Sequence, residues 1–289
     1  MEASELILTQ RGSVYHLDLR PEEISNTVIL VGDPERVAWV SARLDSIELK
    51  RQHREFITHT GYLGKRRISV ISTGIGTDNV DIVLQELDAL VNIDLDQRQE
   101  KTNKQVLQLI RIGTSGALQA DLPVDSFLVS SIAIGMDNLM SFYECRNTEA
   151  EKDLLNAFVQ HTHVEYLHFL PYVASASTAL IHELAGQLPQ GLTLTCPGFY
   201  GPQGRRLRLP LAYPQLLQLA SSFRHNHLRC TNFEMETAAL YGLSAALGHQ
   251  AISFNALVAN RITRLFSADP QRTIVRLIEL VLERLHAAA

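Results

Sequence analysis

Short, largely apolar runs alternate with amphipathic segments along the chain. The runs have the length of β-strands and lie at 28–31, 68–72, 107–112, 127–134 and 251–258. Between them, apolar side chains recur at helical spacing, as Val83, Leu87 and Leu90 do. Strands that alternate with helices predict an α/β fold with a largely parallel or mixed sheet.

Helix start signals locate two more elements. Asp33-Pro34 precedes a predicted helix that continues through Leu44, and a last helix begins near Asp269-Pro270. The polar stretch 92–105 and the stretch 187–210, which is rich in Gly, Pro and Arg, predict exposed excursions. Neither is typical of an interdomain linker, because strand-type runs resume afterwards. We therefore expect one domain over residues 1–289.

Composition narrows the possible functions. The 289 residues are 46% hydrophobic and 20% charged, which is typical of a soluble globular protein. A net charge of −5 argues against nucleic-acid binding. We expect no signal peptide and no membrane span. The three widely spaced cysteines favour a reducing cytoplasm over a disulfide framework, and we expect no metal site because the ligand pattern is missing.

Glycine-containing segments follow three of the predicted strands, at 32–36, 73–76 and 111–116. Glycine after a strand lets the backbone approach a ligand and direct N–H groups at an anion. These segments match neither the phosphate-binding P-loop nor the dinucleotide-binding fingerprint. Taken alone, each could equally be a plain tight turn.

Two arginines favour the functional interpretation of these segments. Arg36 and Arg111 lie within or beside them, at strand ends where α/β sheets bind ligands. The planar guanidinium suits paired contacts to phosphate oxygens. The alternative for each arginine is ordinary surface charge.

The order of several motifs resembles that of the uridine phosphorylase family. The matching segments are Gly32-Asp33-Pro34-Glu35-Arg36, His53-Arg54-Glu55-Phe56, Ser72-Thr73-Gly74-Ile75-Gly76, Arg111-Ile112-Gly113-Thr114-Ser115-Gly116, Phe199-Tyr200-Gly201-Pro202-Gln203-Gly204-Arg205, Asn232-Phe233-Glu234-Met235-Glu236 and Val258-Ala259-Asn260-Arg261. The resemblance covers the chain from about His16 to the last helix. It implies a nucleoside phosphorylase-like fold, with a central mixed sheet or distorted barrel flanked by helices.

The implied reaction is the reversible conversion of uridine and phosphate into uracil and ribose 1-phosphate. The resemblance implies that Gly32, Arg36, Arg54, Arg111 and Thr114 bind phosphate, with Arg54 supplied by a neighbouring subunit. Three guanidiniums and a hydroxyl can neutralise a dianion and hold it in line with the anomeric carbon of the sugar.

The ribose-binding residues implied by the resemblance are His16, Met235 and Glu236. Glu236 would accept hydrogen bonds from the 2′ and 3′ hydroxyls, and His16 would cross the subunit interface to the 5′ hydroxyl. Without the resemblance, Glu234 and Glu236 would be interpreted as a solvated helix start, Met235 as core packing and His16 as a structural or surface residue.

The base-binding residues implied by the resemblance are Phe199, Gln203 and Arg205. A glutamine amide can pair with a carbonyl and an N–H of uracil, and Arg205 would stabilise the negative charge on the departing base. Phe199 would stack on the base or form a wall beside it. Purine-cleaving relatives carry a protonating aspartate after the last core strand, where this chain has Asn260-Arg261, which favours a pyrimidine.

The resemblance also implies the assembly and the cofactor requirement. We expect a homodimer or a higher oligomer with shared sites, and no cofactor, with phosphate as co-substrate. Relatives can hold a monovalent cation between subunits; Glu55 matches one ligand, but Asn79 replaces a serine.

The expected catalytic residues are Arg36, Arg54, Arg111 and Arg205. A purine nucleoside phosphorylase, a nucleosidase and an inactive nucleoside-binding protein remain alternatives.

Overall fold

A mixed sheet of twelve strands forms the centre of the computed structural model, which describes residues 1–145 and 147–288. The strands, in chain order, are β1 (Thr27–Val31), β2 (Ser46–His53), β3 (Phe56–Leu63), β4 (Arg66–Ser72), β5 (Ile93–Asp94), β6 (Gln99–Glu100), β7 (Gln108–Ala117), β8 (Phe127–Gly135), β9 (Tyr172–Ser175), β10 (Gln190–Thr195), β11 (Arg224–His225), β12 (Leu228–Glu234), β13 (Gln250–Asn260) and β14 (Leu265–Phe266). Strands β5 and β6 form a separate two-stranded hairpin.

Helices flank this sheet. They are α1 (Pro34–Ser41), α2 (Thr77–Asn92), α3 (Glu149–Thr162), α4 (Thr178–Leu180), α5 (Leu216–Ser222), α6 (Thr237–Leu247) and α7 (Pro270–Ala287). The short α4 continues as a π-helical turn, Ile181–Ala185. Among the helices of the described residues, none has both the length and the hydrophobicity that spanning a bilayer requires.

Part of the sheet closes on itself. The strand order is β11-β12-β10-β8-β13-β7-β1-β4-β3-β2, and β12 also pairs with β7. In that closing contact Asn232 lies opposite Ala117 and Phe233 opposite Gly116. Five strands thus form a distorted barrel, from which β1, β4, β3 and β2 extend as an open sheet. Strands β1, β4, β7 and β13 run parallel, so their carboxyl ends meet at one edge.

The fold class predicted from the sequence is confirmed, and so is the position of each predicted strand. The last helix begins at Pro270 after an Asp269 N-cap, as predicted. The predicted helix near Leu44 is shorter than expected and ends at Ser41. The excursion at 92–105 is mostly exposed and contains the β5–β6 hairpin. That one domain spans residues 1–289 stays a prediction.

Two glycine- and polar-rich segments were interpreted incorrectly. The predicted turn at 113–116 is part of β7, which continues to Ala117. The excursion predicted at 187–210 contains β10, a strand whose residues after Gln190 are buried. The error arose because Thr193 and Thr195 are polar, yet both are paired inside the barrel, with Ser130 and Glu234 respectively.

Candidate active site

A cavity of about 710 Å³ opens where the parallel strands end. The loops after β1 and β4, the end of β7 and the segment after β12 all contribute to its lining. All the predicted site residues line it except two. Those that do are Gly32, Arg36, Arg111, Thr114, Phe199, Gln203, Arg205, Met235 and Glu236. The fold therefore brings together residues that lie up to about two hundred positions apart in the chain.

Arg36 lies at one end of the cavity. It is 7% exposed, and its Nη1 donates to the carbonyl of Ile112 at 3.3 Å. Within the described part of the chain, its Nε is buried without a hydrogen-bond partner. Burial lowers the pKa of Arg36, and the like charge of Arg111 acts in the same direction. A buried guanidinium with unused hydrogen-bonding capacity favours an anionic ligand.

Arg111, by contrast, is neutralised within the chain. Its Nη2 donates to the Glu236 carboxylate and lies 3.4 Å from an oxygen of Glu234. Burial alone would lower the pKa of Arg111, but Glu236 and Glu234 reverse that effect and raise it. Arg111 therefore remains charged, and its position is set by two carboxylates.

Gly113 makes room for the Arg111 side chain. Both residues lie on β7, two positions apart, and so face the same side of the sheet. A Cβ atom at Gly113 would lie 1.9 Å from Nη1 of Arg111. Glycine is therefore required here because the Arg111 side chain occupies the space that a Cβ atom would need, and not because the chain turns. The strand accordingly continues through Gly113.

Glu234 and Glu236 are buried, so their interpretation as a solvated helix start is wrong. Glu234 accepts hydrogen bonds from the backbone N–H groups of Glu236 at 2.9 Å and Thr237 at 2.8 Å, and thereby holds the first turn of α6. Glu236 accepts a hydrogen bond from the N–H of Gly76 at 2.8 Å. Burial raises the pKa of Glu236, and Arg111 opposes this effect.

The other end of the cavity is aromatic and basic. The Arg205 guanidinium lies 3.8 Å from the centre of the Phe199 ring and donates to the Gln203 side chain and to the Phe199 carbonyl. Burial and the nearby charge of Arg261 lower the pKa of Arg205 to about 10. Two guanidiniums therefore lie close together here, and this also favours a ligand that carries or develops negative charge.

Asn260 does not face the cavity. Its Nδ2 donates to the carbonyls of Gln119 and Leu122, both at 2.8 Å, and its Oδ1 accepts from the N–H groups of Ile262 and Thr263. The side chain therefore shapes the loop after β13. Its neighbour Arg261 instead supports the aromatic and basic end of the cavity, donating to the carbonyl of Gln203 at 2.8 Å.

His16 and Arg54 lie outside the cavity of their own chain, but they lie close to each other. Tyr15 joins them: its ring packs edge-on against His16 at 5.0 Å, and the Arg54 guanidinium lies 5.4 Å from its centre. His53 adds a contact to the His16 carbonyl, with Nδ1 and oxygen 3.0 Å apart. The residues predicted to reach a neighbouring subunit thus form one surface cluster, Tyr15–His16–His53–Arg54.

Glu55 and Asn79, considered as cation ligands, both line the cavity. Asn79 Nδ2 donates to the carbonyl of Ile75 at 3.1 Å. In residues 1–145 and 147–288, no group of three or more histidine, cysteine or acidic side chains is arranged to hold a metal ion.

Sequence reasoning missed several supporting residues. Gly76 binds Glu236 through its backbone, Ser253 lies beside Arg111 on the neighbouring strand β13, and Arg261 supports Gln203. The spacing of these residues along the chain does not indicate which of them are in contact, because each contact depends on strand register or on the path of a loop. The matching motifs at 73–76 and 258–261 contain Gly76 and Arg261, but they do not indicate these contacts.

Comparisons with known proteins agree on one family. The family model described as "Phosphorylase superfamily" matches residues 26–283. A uridine phosphorylase of Thermococcus kodakarensis is 30% identical over 269 residues, which are 89% of this chain and 81% of that protein. A DeoD-type purine nucleoside phosphorylase of Caldanaerobacter subterraneus is 25% identical, with 93% and 98% covered.

A solved structure has a similar fold over almost the whole chain. It is that of a Trypanosoma brucei nucleoside phosphorylase described as showing uridine phosphorylase activity. The TM-score is 0.88 at 29% identity, with 98% of this chain and 99% of that chain covered.

Replacing Gly113 should disturb the part of the cavity formed by Arg36 and Arg111 without unfolding the chain. In Gly113→Ala the new methyl group displaces the Arg111 guanidinium from its position beside Glu236. We expect inorganic phosphate to bind about tenfold more weakly, the loss typical of one charge-assisted hydrogen bond. Isothermal titration calorimetry with phosphate measures this loss.

Gly116→Ala is the matched control, since it lies on the same strand and its Cβ would meet only ordinary contacts, the nearest at 3.6 Å from Arg261. This variant should bind phosphate as the unmodified protein does. Equal phosphate affinities for the Gly113 variant and the unmodified protein would contradict the assignment.

Proposed function

We propose, since this chain belongs to the phosphorylase superfamily, that it catalyses the reversible phosphorolysis of a pyrimidine nucleoside. The substrates are uridine and phosphate, and the products are uracil and ribose 1-phosphate. One observation carries the proposal: a single cavity has an under-neutralised arginine at one end, buried carboxylates in the middle and a glutamine–arginine pair at the other end.

The phosphate occupies the end formed by Gly32, Arg36, Arg111 and Thr114. Arg36 has unused hydrogen-bonding capacity there, and the absence of a side chain at Gly32 leaves its backbone accessible at the start of α1. Arg54 of a neighbouring subunit completes the phosphate site. Because Arg111 is already paired with Glu236, it positions the phosphate as much as it neutralises it.

The ribose lies between phosphate and base, against Met235 and Glu236. One Glu236 oxygen is held by Gly76 and the other by Arg111, so the carboxylate is fixed before substrate arrives. It accepts hydrogen bonds from the 2′ and 3′ hydroxyls. A fixed carboxylate beside the sugar also stabilises the positive charge that grows on the ring as the glycosidic bond lengthens.

The uracil lies against Phe199, Gln203 and Arg205. With its Oε1 held by Arg205, Gln203 offers its Nε2 hydrogens to a carbonyl of the base. As the bond to the sugar breaks, negative charge moves onto the uracil carbonyls, and Arg205 stabilises it. Arg205 is suited to this role because its own charge has no carboxylate partner at this end of the cavity among the described lining residues.

This distribution of charge favours a pyrimidine over a purine. A purine is a poorer leaving group unless an acid protonates its ring, and the described side chains at the base end include no acid: they are Phe199, Gln203, Arg205, Val258, Ala259 and Phe266. A hydrolytic nucleosidase would not need the unpaired capacity of Arg36. Phosphorolysis gives a role to the three lining arginines Arg36, Arg111 and Arg205 and to Glu236.

The active unit is a homodimer or a higher oligomer built from dimers. The proposal is supported by the position of His16 and Arg54, which lie together on the surface and outside their own cavity. We also place the protein in the reducing cytoplasm. Cys196 and Cys230 are buried free thiols, and burial raises the pKa of both.

Release of the base should depend on phosphate. With uridine, 2′-deoxyuridine, thymidine, inosine and adenosine as substrates, product chromatography should detect free base only when phosphate or arsenate is present. Pyrimidine nucleosides should be cleaved faster than purine nucleosides. Arg36→Gln should raise the KM for phosphate about tenfold or more, because a charge-assisted hydrogen bond is lost.

Arg43→Gln provides the matched control. Arg43 follows α1 and pairs on the surface with Glu279, away from the cavity, so its replacement should leave the KM for phosphate unchanged. Equal rates of uracil release with and without phosphate would show hydrolysis and would overturn the proposal.

Subunit complementation tests whether the sites are shared. Arg54→Ala and Arg111→Ala should each abolish most activity. In a mixed dimer, one of the two sites combines Arg111 of the Arg54→Ala subunit with Arg54 of the Arg111→Ala subunit and is intact. The other site lacks both arginines. Random assembly makes half of the dimers mixed, so co-expression should restore about a quarter of the unmodified activity. Sites contained within single subunits would give no recovery.

A further inference from the structure

One carboxylate fixes the segment that carries His16. Glu86, on α2, accepts hydrogen bonds from the backbone N–H of His16 at 2.8 Å and from Nδ1 of its ring at 2.7 Å. Its other oxygen accepts from the N–H of Leu17 at 2.8 Å. Leu17 is itself buried in the core. A single side chain therefore sets both the backbone position and the ring orientation of His16.

We propose that Glu86 is a positioning residue, which presents Nε2 of His16 to the ribose 5′ hydroxyl bound in the neighbouring subunit. This inference rests on the proposed function. Glu86 does not touch the substrate, and its effect passes through the histidine. It makes the 5′ hydroxyl a feature that the enzyme recognises, and so sets specificity for the sugar.

The hydrogen bond to Glu86 determines which ring nitrogen of His16 carries the proton. A carboxylate has no hydrogen to donate, so Nδ1 must be the donor. In the neutral imidazole the lone pair is then on Nε2, the atom on the opposite side of the ring. Nε2 can accept the hydrogen of a hydroxyl. With the other tautomer it would present an N–H, and the 5′ hydroxyl would have to accept.

Helix α2 connects the Glu86–His16 contact to the active site of its own subunit. The helix starts after Gly76, whose N–H binds Glu236, and Glu86 lies ten residues further along. That separation is about 15 Å along the helix axis. The start of one helix therefore holds Glu236 in the ribose site of its own subunit. The same helix carries Glu86, which orients the His16 that is supplied to the partner subunit.

A pair of substrates isolates this effect. Uridine and 5′-deoxyuridine differ only in the hydroxyl that His16 would bind. The unmodified enzyme should prefer uridine, as measured by the ratio of the two kcat/KM values. In Glu86→Gln the amide directs N–H groups at backbone donors, and the histidine loses its orientation. The preference should fall about tenfold, the magnitude of one hydrogen bond, while kcat/KM for 5′-deoxyuridine changes little.

Two controls separate positioning from general damage. The preference for uridine over 2′-deoxyuridine depends on Glu236 and should stay the same in Glu86→Gln. Glu151→Gln is the matched variant: Glu151 also accepts a backbone N–H, that of Thr148 at 2.9 Å, in the first turn of α3. It should leave both preferences unchanged. In a His16→Ala background, the Glu86 substitution should produce no further loss.

The outcomes are distinct. Should Glu86→Gln fail to fold, Glu86→Asp keeps the charge but shortens the reach, and it should reduce the same preference. An undiminished preference for uridine in a folded Glu86 variant would overturn the inference, as would an unmodified enzyme that cleaves both substrates equally. Either result leaves phosphorolysis standing. Absence of phosphate-dependent uracil release from the unmodified enzyme would instead refute the proposed function, and the inference with it.

Discussion

The ion cluster of Arg111, Glu234 and Glu236 is the interaction on which the site depends. A guanidinium and two carboxylates are buried together, an arrangement that is unfavourable unless each charge is paired and hydrogen-bonded. Those requirements are met by backbone N–H groups at the starts of α2 and α6 and by Ser253 on β13. The cluster therefore joins β7, the end of β12 and the starts of α2 and α6 at one point.

This cluster decides which charges remain available to a ligand. Arg111 is neutralised inside the protein, whereas Arg36 at one end of the cavity and Arg205 at the other are not. The two uncompensated positions match the two places where a phosphorolysis reaction has negative charge, the attacking phosphate and the departing base. The middle of the cavity has the carboxylate, where positive charge grows on the sugar. An acidic protein can thus bind a dianion because the arginines act locally.

Apolar runs located β1, β4, β7, β8 and β13, because a strand with apolar side chains on both faces can be recognised from its composition. The same rule failed at β10, where Thr193 and Thr195 are polar but have partners inside the barrel. It also failed at Gly113, where glycine makes room for an arginine two positions away. Nine of the eleven site residues implied by the resemblance line the cavity, and their roles stay predictions. The resemblance could not indicate that Asn260 faces a loop or that Glu86 holds His16, because those contacts depend on the three-dimensional path of the chain.

In the proposed reaction phosphate, held by the arginines of the cavity, attacks the anomeric carbon of the nucleoside. Phosphate labelled with heavy oxygen, supplied with uridine in ordinary water, tests this directly by mass spectrometry of the sugar product. Phosphorolysis yields ribose 1-phosphate that retains the label in the oxygen joining carbon to phosphorus. Unlabelled free ribose, with its new oxygen taken from water, would contradict it.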